Sequence, residues 1–194
     1  TMRFTSGLGF FLLATSVFAR PLLPAQKLSD LNQLIGTIKS GYGPLKYKEQ
    51  HLGLNIDMLA REYAEKIEAS KTNGEFYYLL VQFVAEFQDS HFGANLPTTH
   101  KSKLNFTTDY VDGKVLIESI NREKLSEEKF PFAKGDEIVT FNGKPVQEEI
   151  NKLIPYMGQG FKVSAQRKAS MLLAQRSATK VPVQTGKVTL GIKS

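Results

Sequence analysis

Between residues 29 and 88 the apolar positions recur at spacings of three and four, the period of a helix with one buried face. Ser29 is placed as the N-cap of a first helix carrying Leu31, Leu34, Ile35 and Ile38 inward, with Gly41 as its stop. Residues 42–54, rich in Gly, Lys and Tyr, read as a loop. Asn55 or Asp57 opens a second helix with Ile56, Leu59, Tyr63 and Ile67 on one face, closing near Ser70. Thr72 and Glu75 have the spacing of a capping box, and the helix after them is apolar at Phe76, Leu79, Leu80, Phe83, Val84 and Phe87. That helix runs out at Phe87 into a polar corner, Gln88-Asp89-Ser90-His91. An extended segment follows over 92–96, stopped by Pro97.

From Leu104 the period falls to two. One strand runs to about Val111, Asp112-Gly113 turns the chain, and a second strand covers 114–120, a strong hairpin pattern. After a polar loop over 121–129, Gly135-Asp136 turns into a short buried strand over 138–141. Asn142-Gly143 turns again, and a helix follows with Val146, Ile150, Leu153 and Ile154 inward. Gly158 and Gly160 mark a break, 164–175 reads as helical and 181–192 as extended. The expected class is therefore α+β: a helical unit over about 25–97, a compact mixed unit over about 103–157, and a trailing segment over 158–194.

Composition adds bounds. With 194 residues and 41% hydrophobic content the chain can bury a true core. It has no cysteine, which excludes disulfides, thiolate metal sites and a cysteine nucleophile. Arg3, the apolar run over 8–18 and the small residue Ala19 resemble a secretory signal over 1–19, so export to a periplasmic or extracellular space is expected. The run is short for a membrane span, and stable membrane insertion after cleavage is not expected. The net charge of +6 is spread along the chain except for Lys162, Arg167, Lys168, Arg176 and Lys180, which lack interleaved aromatics and read as a solvated face, not a nucleic-acid site. Three histidines far apart, with no HExxH pattern, argue against a metal site. Gly158-Gln159-Gly160 lacks the third glycine of a dinucleotide loop, and no phosphate-binding loop is present, so no cofactor is expected.

The chemistry concentrates at the corner. A histidine held between a rigid helix end and an extended segment, with its ring reachable, is mounted as a general base is mounted, which makes His91 the first candidate. The competing reading is that His91 caps the helix dipole. His51 has no carboxylate or serine at an instructive spacing and reads as a surface residue.

Residues 134–146, KGDEIVTFNGKPV, closely resemble the GD-x-I-x-x-x-NGKPV stretch of PDZ-like domains in the C-terminal-processing (tail-specific) serine peptidases. Those peptidases often carry an Asp-x-His motif at a helix end upstream of the PDZ-like domain, and Asp89-Ser90-His91 fits that place. The resemblance is to the branch that includes tricorn peptidase and the chlamydial protease-like activity factor. It implies an N-terminal helical domain followed by a PDZ-like domain, and a protein or peptide substrate hydrolysed by a serine nucleophile. It further implies His91 as the base that takes the serine proton and returns it to the leaving amine, with Ser90 in support; Asp89 is expected to cap or orient the corner. The departure from the family lies in what the 194 residues lack. No G-x-S-x-G occurs, so the nucleophile and its acidic partner are expected beyond residue 194, on a catalytic α/β core missing from this chain. Residues 158–194 are then expected to begin that core, ending in a strand cut off before its partners. Two other readings stay open: a non-catalytic PDZ-like module that captures an extended peptide by strand addition, and an assembly domain that uses the helical part as a homo-oligomer surface.

Overall fold

The computed structural model describes residues 20–194, so the signal-like segment over 1–19 lies outside the described residues. The chain forms a helical unit followed by a β-rich unit. Helix α1 spans Pro24–Gly41, α2 Leu45–His51, α3 Ile56–Ala69 and α4 Asn73–Ala85. Helix α1 begins five positions earlier than Ser29, which is an exposed interior residue. Pro24 occupies the first turn, where its missing amide costs nothing, and the Gln26 side chain accepts from the Leu23 amide at 2.9 Å. Helix α2 falls where a loop was expected. It buries no residue, so it leaves no apolar period to read.

The caps of α3 and α4 are those the sequence predicts. Asn55 Oδ1 accepts from the Met58 amide at 2.9 Å. Thr72 Oγ1 accepts from the Glu75 amide at 3.1 Å while Glu75 Oε2 accepts from Thr72 and Lys71. Helix α3 packs between α1 and α4 around Leu31, Ile38, Ile56, Ile67, Phe76 and Phe83. Lys27, 3% exposed, donates to the Ser70 carbonyl at 2.8 Å and so ties α1 to the C-terminal end of α3, where a cation suits the dipole.

The second unit holds β1 (Lys101–Lys103), β2 (Phe106–Val111), β3 (Lys114–Ile120), β4 (Glu137–Phe141), β5 (Lys144–Pro145), α5 (Val146–Leu153), a 3-10 turn (Ile154–Tyr156), α6 (Lys162–Ala174), β6 (Gln175–Ser177) and β7 (Leu190–Lys193). Strands β2, β3, β4 and β5 form an antiparallel sheet in that order, and β7 also pairs with β4. Strands β1 and β6 make a separate antiparallel pair. The two-residue turns are Asp112-Gly113 and Asn142-Gly143, all four at positive φ, the conformation such hairpins demand.

Neither a boundary near 157 nor an unpaired last strand is found. Helix α6 packs on β2, where Thr108 Oγ1 donates to the Ser170 carbonyl at 2.7 Å, and Leu173 and Ala169 enter the same core as Val115, Ile117, Ile138 and Ile150. Strand β7 has its partner in β4, from Phe141 opposite Leu190 to Glu137 opposite Lys193. Residues 158–194 thus complete the β-rich unit, because the edge of β4 and the face of β2 would otherwise stay uncovered. Arg176, 6% exposed, fastens this segment. Its Nε donates to the Leu172 carbonyl and its Nη2 to Glu149 Oε1, each at 2.9 Å.

The two units meet along α4. The Tyr78 hydroxyl lies 3.1 and 3.2 Å from the Ala178 and Val181 carbonyls, and the Leu96 amide donates to the Thr179 carbonyl at 2.8 Å.

Candidate active site

The corner at residues 88–91 is built on the aromatic end of α4. Phe87 is 1% exposed, and its ring meets those of Phe83 (5.9 Å), Tyr42 (5.5 Å) and Phe92 (5.4 Å) edge-on, while Tyr42 stacks on Phe92 at 4.4 Å. These contacts seize the chain on both sides of the turn, so the backbone between them has little freedom left. Gln88 absorbs the reversal at φ 50°, in the left-handed region that a glutamine rarely adopts.

Asp89 organises the turn with both carboxylate oxygens. Oδ1 accepts from the His91 amide at 2.9 Å, and Oδ2 accepts from the Tyr42 hydroxyl at 2.7 Å. The Tyr42 hydrogen bond, and then the His91 amide, hold its carboxyl below the usual range. Burial, with Asp89 beside it, pushes the Tyr42 phenol up, so it stays a donor at any physiological pH. The orienting role expected of Asp89 is thus what its contacts show.

His91 stands at the tip, with its side chain 96% exposed. Nδ1 lies 3.4 Å from Ser90 Oγ and 3.7 Å from Asp89 Oδ1, which brings both predicted site residues together on one side of the ring. Among the described residues Nε2 has no hydrogen-bond partner, and it faces away from the group that the other nitrogen addresses. His51 is exposed on α2 with its ring 4.8 Å from that of Tyr47, and His100 is exposed ahead of β1. The three histidines do not gather, and among the described residues no group of His, Asp and Glu could hold a metal ion.

Three supports of the corner escape sequence reasoning. Tyr42 lies 47 positions before Asp89. Lys48, on α2, reaches the Gln88 carbonyl at 3.5 Å. The loop after the 3-10 turn closes on the corner from the β-rich side, and a Cβ on Gly158 would stand 3.1 Å from the Asp89 carbonyl oxygen. The bare Gly158 lets that loop seat closely without displacing the Asp89 backbone. Its Gly-x-Gly spelling was the available signal.

The architecture defines a PDZ-like domain carried behind a helical domain that ends in an Asp-Ser-His corner. A family model for the PDZ domain matches residues 100–194, and no curated protein matches the sequence. Among solved structures, the chain is similar to the mature chlamydial protease-like activity factor (CPAF) complexed with lactacystin, with a TM-score of 0.75 and 24% identity over 88% of this chain and 32% of that one. It is equally similar to a serine-to-alanine mutant of CPAF (TM-score 0.76, 24% identity, 87% of this chain and 31% of that). Mature CPAF gives a TM-score of 0.74, also at 24% identity, with 88% and 32% covered. The chain therefore spans about a third of the proteins it matches, and what it shares with them is the fold, helical part and PDZ-like part in the expected order. Among the described residues there is no catalytic α/β core.

Proposed function

We propose that this chain is the N-terminal portion of an exported serine endopeptidase, periplasmic or extracellular, in which His91 is the general base for a serine supplied by sequence outside these residues. The observation that carries the reading is the pinned corner. Asp89 spends both oxygens on Tyr42 and the His91 amide, and so fixes the backbone of a histidine whose ring stays open to a second domain. A base must meet its nucleophile within hydrogen-bond reach, and an exposed Nε2 on a rigid corner can do so once a partner surface closes over it. Ser90 supports the ring from the Nδ1 side. The likeness to CPAF, whose solved forms include a lactacystin complex and a serine-to-alanine mutant, supports the same class. Substrates are proteins or peptides, with no cofactor.

The test is to label the intact gene product with a fluorophosphonate that reacts with activated serines. Labelling in the parent and its loss in His91→Ala, with unchanged circular dichroism, is the expected result. Labelling that survives His91→Ala would remove His91 from the chemistry. No labelling of the parent would instead favour the non-catalytic peptide-binding or assembly module, since the PDZ-like domain can bind a strand without any base.

A further inference from the structure

A cavity of about 310 Å³ opens beside the corner, at the seam between the two units. Val81, Ala85, Phe92, Leu172 and Val181 supply an apolar lining, and Ser90 forms part of the wall on the His91 side. Lys168 and Lys180 also line it, as does Asp89, whose carboxylate oxygens are already held by the Tyr42 hydroxyl and the His91 amide. Both lysines are exposed, and among the described residues neither has a carboxylate within 4.0 Å, unlike Lys39, Lys66 and Lys152, which are paired. An apolar hollow of this size takes one large aliphatic or aromatic side chain, while two unneutralised ammonium groups call for a carboxylate next to it. Gly93 contributes to the wall and has nothing within 4 Å of where a Cβ would stand, so a side chain placed there would meet no protein atom.

We propose that this cavity binds a peptide segment in which a large apolar residue is flanked by an acidic one. The apolar side chain enters between α4 and α6, and the carboxylate lies against Lys168 and Lys180. That the segment belongs to a substrate rests on the peptidase reading; that the cavity binds it does not.

The probe is a blocked, fluorescein-labelled peptide with the core Gly-Glu-Leu-Glu-Gly, followed by fluorescence anisotropy at low ionic strength. Replacing the glutamates by glutamines should weaken binding about three- to tenfold, the scale of two exposed charge contacts, and added salt should do the same. Exchanging the leucine for alanine should weaken it about tenfold or more. On the protein side, the double change Lys168→Glu, Lys180→Glu should cost more than the neutral peptide does, because attraction becomes repulsion. Lys134→Glu with Lys144→Glu, an equal change in net charge at residues that do not line the cavity, should leave binding near the parent value. Gly93→Leu, which places a side chain at the opening without strain, should abolish binding while circular dichroism stays unchanged. Equal affinity for the glutamate and glutamine peptides, or full binding by Gly93→Leu, would overturn the proposal. His91→Ala should bind like the parent, so loss of labelling in that variant with peptide binding intact separates this site from the catalytic reading.

Discussion

The two units of the molecule handle the same backbone problem differently. Among the described residues four that are not glycine sit at positive φ, and the three in the β-rich unit are Asn105, Asp112 and Asn142. Asn and Asp tolerate that region, and two of these precede a glycine in a tight hairpin turn. The fourth is Gln88 in the helical unit, which has no such excuse: left-handed backbone costs an ordinary residue roughly 1–2 kcal/mol. Strain therefore falls at the corner that carries Ser90 and His91, and the PDZ-like domain is nearly free of it. The aromatic cluster around Phe87 and the two bonds of Asp89 are what hold the costly turn in place.

The largest test of that contrast removes the clamp. Phe87→Ala should destabilise the chain by about 3–5 kcal/mol in urea unfolding, the range for a fully buried phenylalanine. Ile138→Ala in the other core should cost about 2–5 kcal/mol, yet leave the NMR signals of Ser90 and His91 in place, whereas Phe87→Ala should shift them.

Arg176→Ala comes next, at about 3 kcal/mol, because it strips a partner from the largely buried Glu149. Burial pushes the Glu149 carboxyl up, but Lys152 and Arg176 outweigh it and hold it below the usual range. The urea midpoint reads the loss. If Arg176→Ala also moved the corner signals, the two units would be less separable than their cores imply.

Asp89→Asn sharpens the comparison at the corner, with an expected cost of about 1–2 kcal/mol, since an amide keeps one acceptor but loses the charge. The sign of its pH dependence follows from the lowered folded-state value. The contribution of Asp89 is fully present above the unfolded value of about 4, and is lost as pH falls through the lower folded one. An acid titration of stability should thus be flatter for Asp89→Asn over that window.

The smallest effect carries the opposite sign. Gln88→Gly should stabilise by up to about 1 kcal/mol, less the entropy that a glycine loses on folding, while Asn142→Gly should change stability by only a few tenths. A Gln88→Gly variant no more stable than the parent would mean that the turn holds no strain.

Much of this was legible because its causes are local. The Thr72-Glu75 box, the Asn55 cap, the Asp112-Gly113 and Asn142-Gly143 turns and the buried face of α4 are each written within a few residues. The corner itself was legible for the same reason, as a helix end followed by Asp-Ser-His. What escaped has causes distant in sequence or too faint to register. Helix α2 buries nothing, and α1 starts at Pro24 behind a leucine whose amide is capped by a side chain three residues on. Strands β1 and β6 are three residues each, joined across a whole domain. Strand β7 looked unpaired because its partner β4 lies about fifty positions away. Tyr42 carries no mark that it will meet Asp89.

Gly158 has a consequence for anyone who edits this molecule. It sits in a loop that looks dispensable, well away in sequence from the histidine, so a mutational scan scored on folding alone would pass over it. Scored on the geometry of the corner, position 158 should be sensitive, because even a methyl group would stand 3.1 Å from the Asp89 carbonyl oxygen and push that backbone by a few tenths of an ångström. A graft of this domain that keeps the histidine but exchanges that loop would carry the site across without its seat.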